Sequence, residues 1–266
     1  MDSLLEQSKP LFDIFVVDNN SSDFSADIIE KEYPMCTLIR SGENNGFSLA
    51  NNIGVDRIMN MGYSYVILLN EDTVCDRKMV EELYERRNER MILTPAIYLD
   101  RLYRRVWGGG SGYIDYCNAK PAYTKDFCKE LTEVTFATGC CMMISCSLIQ
   151  EIGLFDTDYY MYWEDTDLSA RFYTRGVKIY VVEAAKLWHR GQRNLKGKYK
   201  DYYKIRNRWL FIKKNANLCK ITVSQAIAQD IIRYIVKSFP DDIELTRYFI
   251  YGMRDYLLKK FGKGQL

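Results

Sequence analysis

The run Tyr65-Val66-Ile67-Leu68-Leu69 passes without a break into Asn70-Glu71-Asp72-Thr73. An apolar run of this length bounded by polar residues suits a central strand of a parallel sheet covered on both faces. Open α/β sheets bind their ligands at the C-terminal ends of such strands. Two carboxylates and an amide at that edge offer hard oxygen ligands, which suit Mg²⁺ or Mn²⁺ held jointly by protein and a substrate phosphate. The same residues read equally well as a strand-to-loop turn with an Asx cap.

The rest of the chain supplies what such a sheet needs. Phe12 to Val17 reads as a strand ending in the turn-rich Asp18-Asn19-Asn20-Ser21-Ser22-Asp23, and Ser25 to Glu32 as a helix. Cys36 to Ile39 is a second short strand, and Gly42 to Phe47 is a loop into a helix bearing Asn51, Asn52 and Gly54. Strands alternating with helices imply βαβ units and a parallel sheet. Asp76 to Arg87 continues the pattern as an amphipathic helix with Val80, Leu83 and Tyr84 on one side. The segment from Tyr113 to Glu130 has no period and reads as an acceptor-side insertion or a surface excursion. Val134 to Ile144 returns to strand-like composition, with small residues at Gly139 and Cys140 that let a ligand or another backbone approach.

Two further clusters carry chemistry. Tyr159 to Trp163 is nearly all aromatic and leads into Glu164-Asp165-Thr166-Asp167, with Leu168, Arg171 and Phe172 at helical spacing. Carboxylates in a first helical turn are favoured by the macrodipole. Three beside an aromatic wall exceed what a cap needs, which favours a functional site. Val177 to Val182 is a further strand, followed by His189 and Arg190, where an anionic or metal-bound ligand would fit. Tyr199 to Trp209 forms a basic aromatic helix. The tail from Ile221 reads as two amphipathic helices split by Phe239-Pro240-Asp241-Asp242.

Composition excludes several classes. The 266 residues fit one domain with an appendage, and 37 basic against 35 acidic residues leave a charge of +2, too balanced for nucleic-acid binding. Eight cysteines without a CxxC pair, beside one histidine, speak against a zinc site. Met1-Asp2-Ser3 opens no signal peptide, and no apolar run reaches the ~18 residues of a membrane span. The expectation is a cytoplasmic protein with reduced thiols.

In this order the pieces resemble the family 2 glycosyltransferases, specifically the rhamnosyltransferase-like branch that builds bacterial surface polysaccharides. The resemblance covers Leu4 to Leu210 and rests on Ile14 to Asp23, Asn44 to Gly54, Leu68 to Thr73, Ala137 to Cys140, and Trp163 to Leu168 with Arg171 and His189. It implies an α/β GT-A fold, a Rossmann-like, mostly parallel sheet flanked by helices, over residues 1–215, with an amphipathic helical extension over 216–266. It also implies a nucleotide-sugar donor such as dTDP-rhamnose or a UDP-sugar, a saccharide or lipid-linked acceptor, a divalent cation (Mn²⁺ or Mg²⁺) and inversion at the anomeric carbon.

By family position Asp72 is the metal ligand, with His189 facing the metal or diphosphate, and Asp165 is the general base, with Glu164 beside it as the second candidate. Asp18, Asn45, Asn51, Asn70, Glu71, Gly139 and Arg206 fall in donor-contacting positions. The metal motif departs mildly, with Asn70-Glu71-Asp72 in place of Asp-x-Asp.

Family members open with an apolar strand followed by Thr-Tyr-Asn that lines the nucleotide pocket, and this sequence has no counterpart of it. The expectation is an open sheet edge beside Phe12 to Val17, weak donor binding by this chain alone, and an edge covered by a second copy or by the tail, hence a homo-oligomer. The rival reading is a catalytically idle scaffold protein. The tail fits a packed helix, a dimer contact or a peripheral helix on the inner face of the membrane; its aromatic stripes favour packing.

Overall fold

The computed structural model describes residues 1–9, 12–99, 106–107, 110–124, 130–190, 199–236 and 243–264. Lys237, the Phe239 to Asp242 break, Gly108 and Gly109 lie outside these. After a short helix α1 (Asp2–Leu5) come β1 (Phe15–Asp18), α2 (Ser25–Glu32) and β2 (Thr37–Arg40), a βαβ unit whose strands pair in parallel. Then follow α3 (Gly46–Ile58), β3 (Tyr65–Leu69), β4 (Thr73–Cys75), α4 (Met79–Glu85) and β5 (Met91–Tyr98).

The aperiodic stretch after residue 110 folds as a hairpin, β6 (Gly112–Asp115) and β7 (Lys120–Tyr123). The single strand expected over Val134 to Ile144 is two: β8 (Leu131–Val134) and β9 (Cys141–Ser145), with a loop at Gly139 between them. Next are α5 (Cys146–Ile152), a 3-10 turn at Thr157–Tyr159, α6 (Glu164–Thr174) and β10 (Lys178–His189). Three helices close the chain, α7 (Tyr199–Lys214), α8 (Val223–Asp230) and α9 (Ile243–Leu257), with a π-helical turn at Ile231–Val236 after α8. Local chemistry sets the starts of α5 and α8. Ser145 accepts from Leu148 N, and Thr222 with Gln225 forms a reciprocal capping box.

The main sheet runs β3-β9-β5-β10-β4, with β8 beside β10. The strands covered on both faces are β9, buried at every position, and β5, buried from Ile92 to Tyr98. This corrects the central place expected for β3, whose burial alternates and whose one described ladder is antiparallel, to β9. Apolarity alone cannot tell an edge strand leaning on helices from a strand between two neighbours. β1 likewise pairs only with β2 among the described residues, and its four residues are half-buried.

β10 is the element that delivers the site. It runs parallel to β5, slips register between Val182 and Lys186, and then lies antiparallel to β4 with His189 opposite Thr73. Such a bulge re-aims the side chains beyond it.

The C-terminal helices pack on the body. Phe249 is fully buried and meets Trp209 of α7 edge-to-face at 6.0 Å, and buried Asp255 accepts from Tyr202 Oη at 2.8 Å. Gly252 allows the close crossing, because a Cβ there would stand 3.1 Å from the Tyr202 carbonyl oxygen. Phe249→Ala is expected to cost about 3 kcal/mol or more in urea denaturation. A loss below about 1 kcal/mol would show that α9 is not part of the core.

Candidate active site

The polar end of β3 is pinned from two sides. Asn70 N donates to Cys140 O at 2.9 Å, and Thr73 Oγ1 closes the turn on Asn70 O at 2.6 Å. Arg190 N donates to the Asp72 carbonyl at 2.8 Å, which brings the end of β10 against the turn. The result sets His189 Nε2 3.2 Å from Asp72 Oδ1. The contact is an electrostatic approach rather than an aligned hydrogen bond, since Asp72 Oδ1 and His189 Nδ1 are both buried without a hydrogen-bond partner. The nearby imidazole holds the Asp72 carboxyl below its ordinary range against the opposing effect of burial. Trp107 stacks on the histidine at 4.3 Å and 17° and fixes its plane.

A hard divalent cation fits this pair. An orphaned carboxylate oxygen beside an imidazole nitrogen at 3.2 Å matches the spacing of adjacent ligands on an octahedral ion, about 3 Å. Glu71 is exposed beside them. No cluster of three His, Cys, Asp or Glu side chains suited to a metal occurs among the described residues. The protein would thus give two ligands and leave the other positions to water and substrate oxygens.

The acidic cluster at the start of α6 divides into distinct roles. Asp167 is structural: its Oδ1 accepts from Tyr159 Oη and Asn215 Nδ2, both at 3.1 Å, and its Oδ2 from Arg171 Nε at 2.9 Å. Asp165 takes Gly139 N at 3.1 Å on Oδ2, and Thr166 N at 2.7 Å and Thr166 Oγ1 at 3.2 Å on Oδ1. Glu164 is 6% exposed and its Oε2 has no partner.

Burial pushes both Glu164 and Asp165 above the ordinary carboxylate range. The Asp165 charge pushes Glu164 further, whereas three hydrogen bonds pull Asp165 back. Of the two, Glu164 is thus raised further than Asp165.

Gly139 and Cys140 tie the two ends together. The backbone of Cys140 holds Asn70, that of Gly139 holds Asp165, and the buried Cys140 thiol is pushed up by its burial and by the charges of Asp72, Glu71 and Asp165. A Cβ at Gly139 would lie 2.9 Å from the ring of Phe47 on α3, so the loop and the helix meet closely here.

On the donor side, Asp18 stands at the end of β1 and accepts from Ser21 N at 3.1 Å. Asn19 next to it accepts from Asn45 N at 2.8 Å and donates to Gly46 O at 3.0 Å, so Asp18 and Asn45 share one cluster. Asn51 donates to Phe47 O at 2.9 Å within α3. Arg206 is a correction. It was expected to face the diphosphate, yet it is fully buried, with its guanidinium donating to the carbonyls of Asp158, Lys260 and Gly262, to Tyr202 Oη and to Asn207 Oδ1. An arginine on an aromatic helix face gives no sequence signal of such carbonyl partners. Asn19, Phe47 and Trp107 were missed as site residues; the turn chemistry of Asn19 was the only signal available.

The family model for glycosyl transferase family 2 matches residues 1–153. The chain is 24% identical over 224 residues to the dTDP-rhamnosyl transferase RfbF of Shigella flexneri, covering 76% of this chain and 71% of that protein. It is 23% identical over 206 residues to the N-acetylglucosaminyl-diphospho-decaprenol L-rhamnosyltransferase of Mycobacterium tuberculosis, covering 66% of each. Among solved structures, GalNAc-T7 with UDP, GalNAc and Mn2+ superposes with a TM-score of 0.64 at 13% identity, over 96% of this chain and 51% of that one. The chain thus spans about half of that structure, and the likeness shows the GT-A fold.

The raised Glu164 carboxyl has a consequence for stability. Between its unfolded and folded pKa the folded state holds a proton that the unfolded state releases, so stability falls as pH rises across that window. Glu164→Gln keeps the shape and removes the titration. Its melting temperature relative to the wild type is expected to rise from about pH 5 to about pH 8. A difference independent of pH in that range would show that Glu164 ionises normally.

Proposed function

The chain belongs to glycosyl transferase family 2, and from that premise we propose that it is an inverting glycosyltransferase using a nucleotide diphospho-sugar. The observation that supports the reading is the backbone of Gly139 and Cys140, whose successive groups bond Asp165 and Asn70, two residues before Asp72. Asp165 takes the proton of the acceptor hydroxyl as that oxygen bonds to the anomeric carbon. On the opposite face the bond from that carbon to the diphosphate oxygen breaks, which inverts the centre and needs no covalent nucleophile.

Asp72 and His189 would hold Mn²⁺ or Mg²⁺, which neutralises the charge that grows on the departing diphosphate. Asp18, Asn45 and Asn51 line the nucleotide side, with Asn70, Glu71 and Gly139 around the diphosphate and sugar. Similarity to two rhamnosyltransferases supports dTDP-rhamnose as the first donor to test, and a UDP-sugar as the second. An idle scaffold is the competing reading, and the unpaired β1 edge favours it. Orphaned oxygens on Glu164 and Asp72 speak against it, because burying them serves no packing purpose.

The acceptor is a saccharide of surface polysaccharide synthesis, and α9 supports one carried on lipid at the cytoplasmic face of the membrane. Its inner side is packed, while Ile250, Leu257 and Leu258 are exposed at 46%, 63% and 57% beside exposed Arg247, Arg254, Lys259 and Lys260. Basic and apolar residues mixed on one outward stripe suit an anionic bilayer surface. No helix among the described residues is long and apolar enough to cross a membrane. A second copy covering the β1 edge completes the proposal as a homo-oligomer.

Asp72→Ala is expected to abolish Mn²⁺ binding in calorimetry while leaving the fold intact; equal affinity would remove Asp72 from the site. Asp165→Asn is expected to cut transfer by at least ~10²-fold with donor affinity nearly unchanged, and retained turnover would shift the role of base elsewhere. On the outward stripe, replacing Ile250, Leu257 and Leu258 by Ser should release the protein from floated anionic liposomes. Unchanged flotation would discard the membrane contact.

A further inference from the structure

The segment that leads into α6 has a backbone its sequence does not favour. Tyr160, Tyr162 and Trp163 lie at φ 57°, 63° and 78°, a region that bulky L residues avoid. Something outside the segment must hold it there. Among the groups that do so, the side chain of Asn207 on α7 is fully buried and makes the most bonds to the segment. Its Nδ2 donates to Tyr159 O at 2.7 Å and to Met161 O and Tyr162 O at 2.9 Å each. Its Oδ1 accepts from Arg206 Nε at 2.9 Å, which decides which way the amide faces.

What the segment controls lies at its two ends. Trp163 is directly followed by Glu164 and Asp165, so its backbone sets the direction from which Asp165 meets Gly139. The carbonyl of Tyr160 accepts from Phe47 N at 2.7 Å and Ser48 N at 3.2 Å, the first amides of α3. A Cβ at Gly46 would stand 2.5 Å from that same oxygen, so the contact requires glycine there.

We propose that Asn207 is a positioning residue for the reaction. It locks the Tyr160 to Trp163 backbone and thereby registers the base on α6 with the donor-side helix α3. The proposal rests on the assignment of Asp165 as base; its effect on the backbone does not. An amide that only satisfied buried carbonyls would affect stability but not the local geometry of distant amides.

The test compares Asn207→Asp, which keeps the shape but turns a carboxylate toward three carbonyls, and Asn207→Ala with Asp230→Asn on the neighbouring α8. Asp230 holds Trp209 Nε1 at 2.8 Å and Arg208, away from the segment. Hydrogen exchange is read at Phe47 and Ser48, which bond Tyr160, and at Gly139 and Thr166, which bond Asp165. In both Asn207 variants these four amides are expected to exchange at least ~10-fold faster than in the wild type, with α9 protection kept.

The kcat is expected to fall ~10- to 10²-fold at a donor Kd within about threefold, with the acid limb of the pH profile moved upward as Asp165 loses hydrogen bonds. Asp230→Asn should change none of these four amides. Unchanged exchange in a folded Asn207→Ala, or acceleration spread equally over α7 and α9, overturns the proposal. If the wild type transfers no sugar, the assignment of Asp165 fails, and the exchange data still decide whether Asn207 holds the segment.

Discussion

The site depends on two adjacent carboxyl groups at the start of one helix, Glu164 buried and Asp165 half-buried. Neighbouring carboxyls in a low-dielectric setting cannot both ionise cheaply, so the environment decides which keeps the proton. Here the decision is made by hydrogen bonds. Asp165 has three donors and Glu164 leaves an oxygen without any. The arrangement raises both carboxyls, Glu164 further than Asp165.

The backbone of Gly139 and Cys140 links this pair to the turn that carries Asp72. Asp72 is held below the usual range by its imidazole neighbour, while burial raises Asp165. The two carboxylates differ in environment, not in type. Beyond the register slip in β10, His189 lies opposite Thr73 of β4.

Much of this was legible in the sequence, and the limits have physical causes. The βαβ start, α2 and the boundaries of β3 follow from turn residues and apolar period, which are local signals. Asp72, Asp165 and His189 stood out because polar groups at strand and helix ends are where backbone amides converge. The place of β3 in the sheet was not legible, since strand order is decided by contacts far apart in sequence. Arg206 misled for a related reason. On a basic aromatic helix it looks like a ligand, and only the fold shows the carbonyls of Asp158, Lys260 and Gly262 that receive its guanidinium.

That misplacement points to the division of labour on α7. A helix interior that buries an arginine and an asparagine side by side, both fully, carries a large desolvation cost unless each polar atom is met. Both are met mainly by main-chain carbonyls: Arg206 by those of Asp158 and the tail, Asn207 by those of the segment before α6. Main-chain carbonyls do not change with sequence, so such contacts fix backbone paths rather than side-chain identities. A loop entering α6 with three strained residues has no local reason to keep its course. The C-terminal helices therefore do more than cover a core: through Asn207 on α7 they hold the backbone that leads into α6.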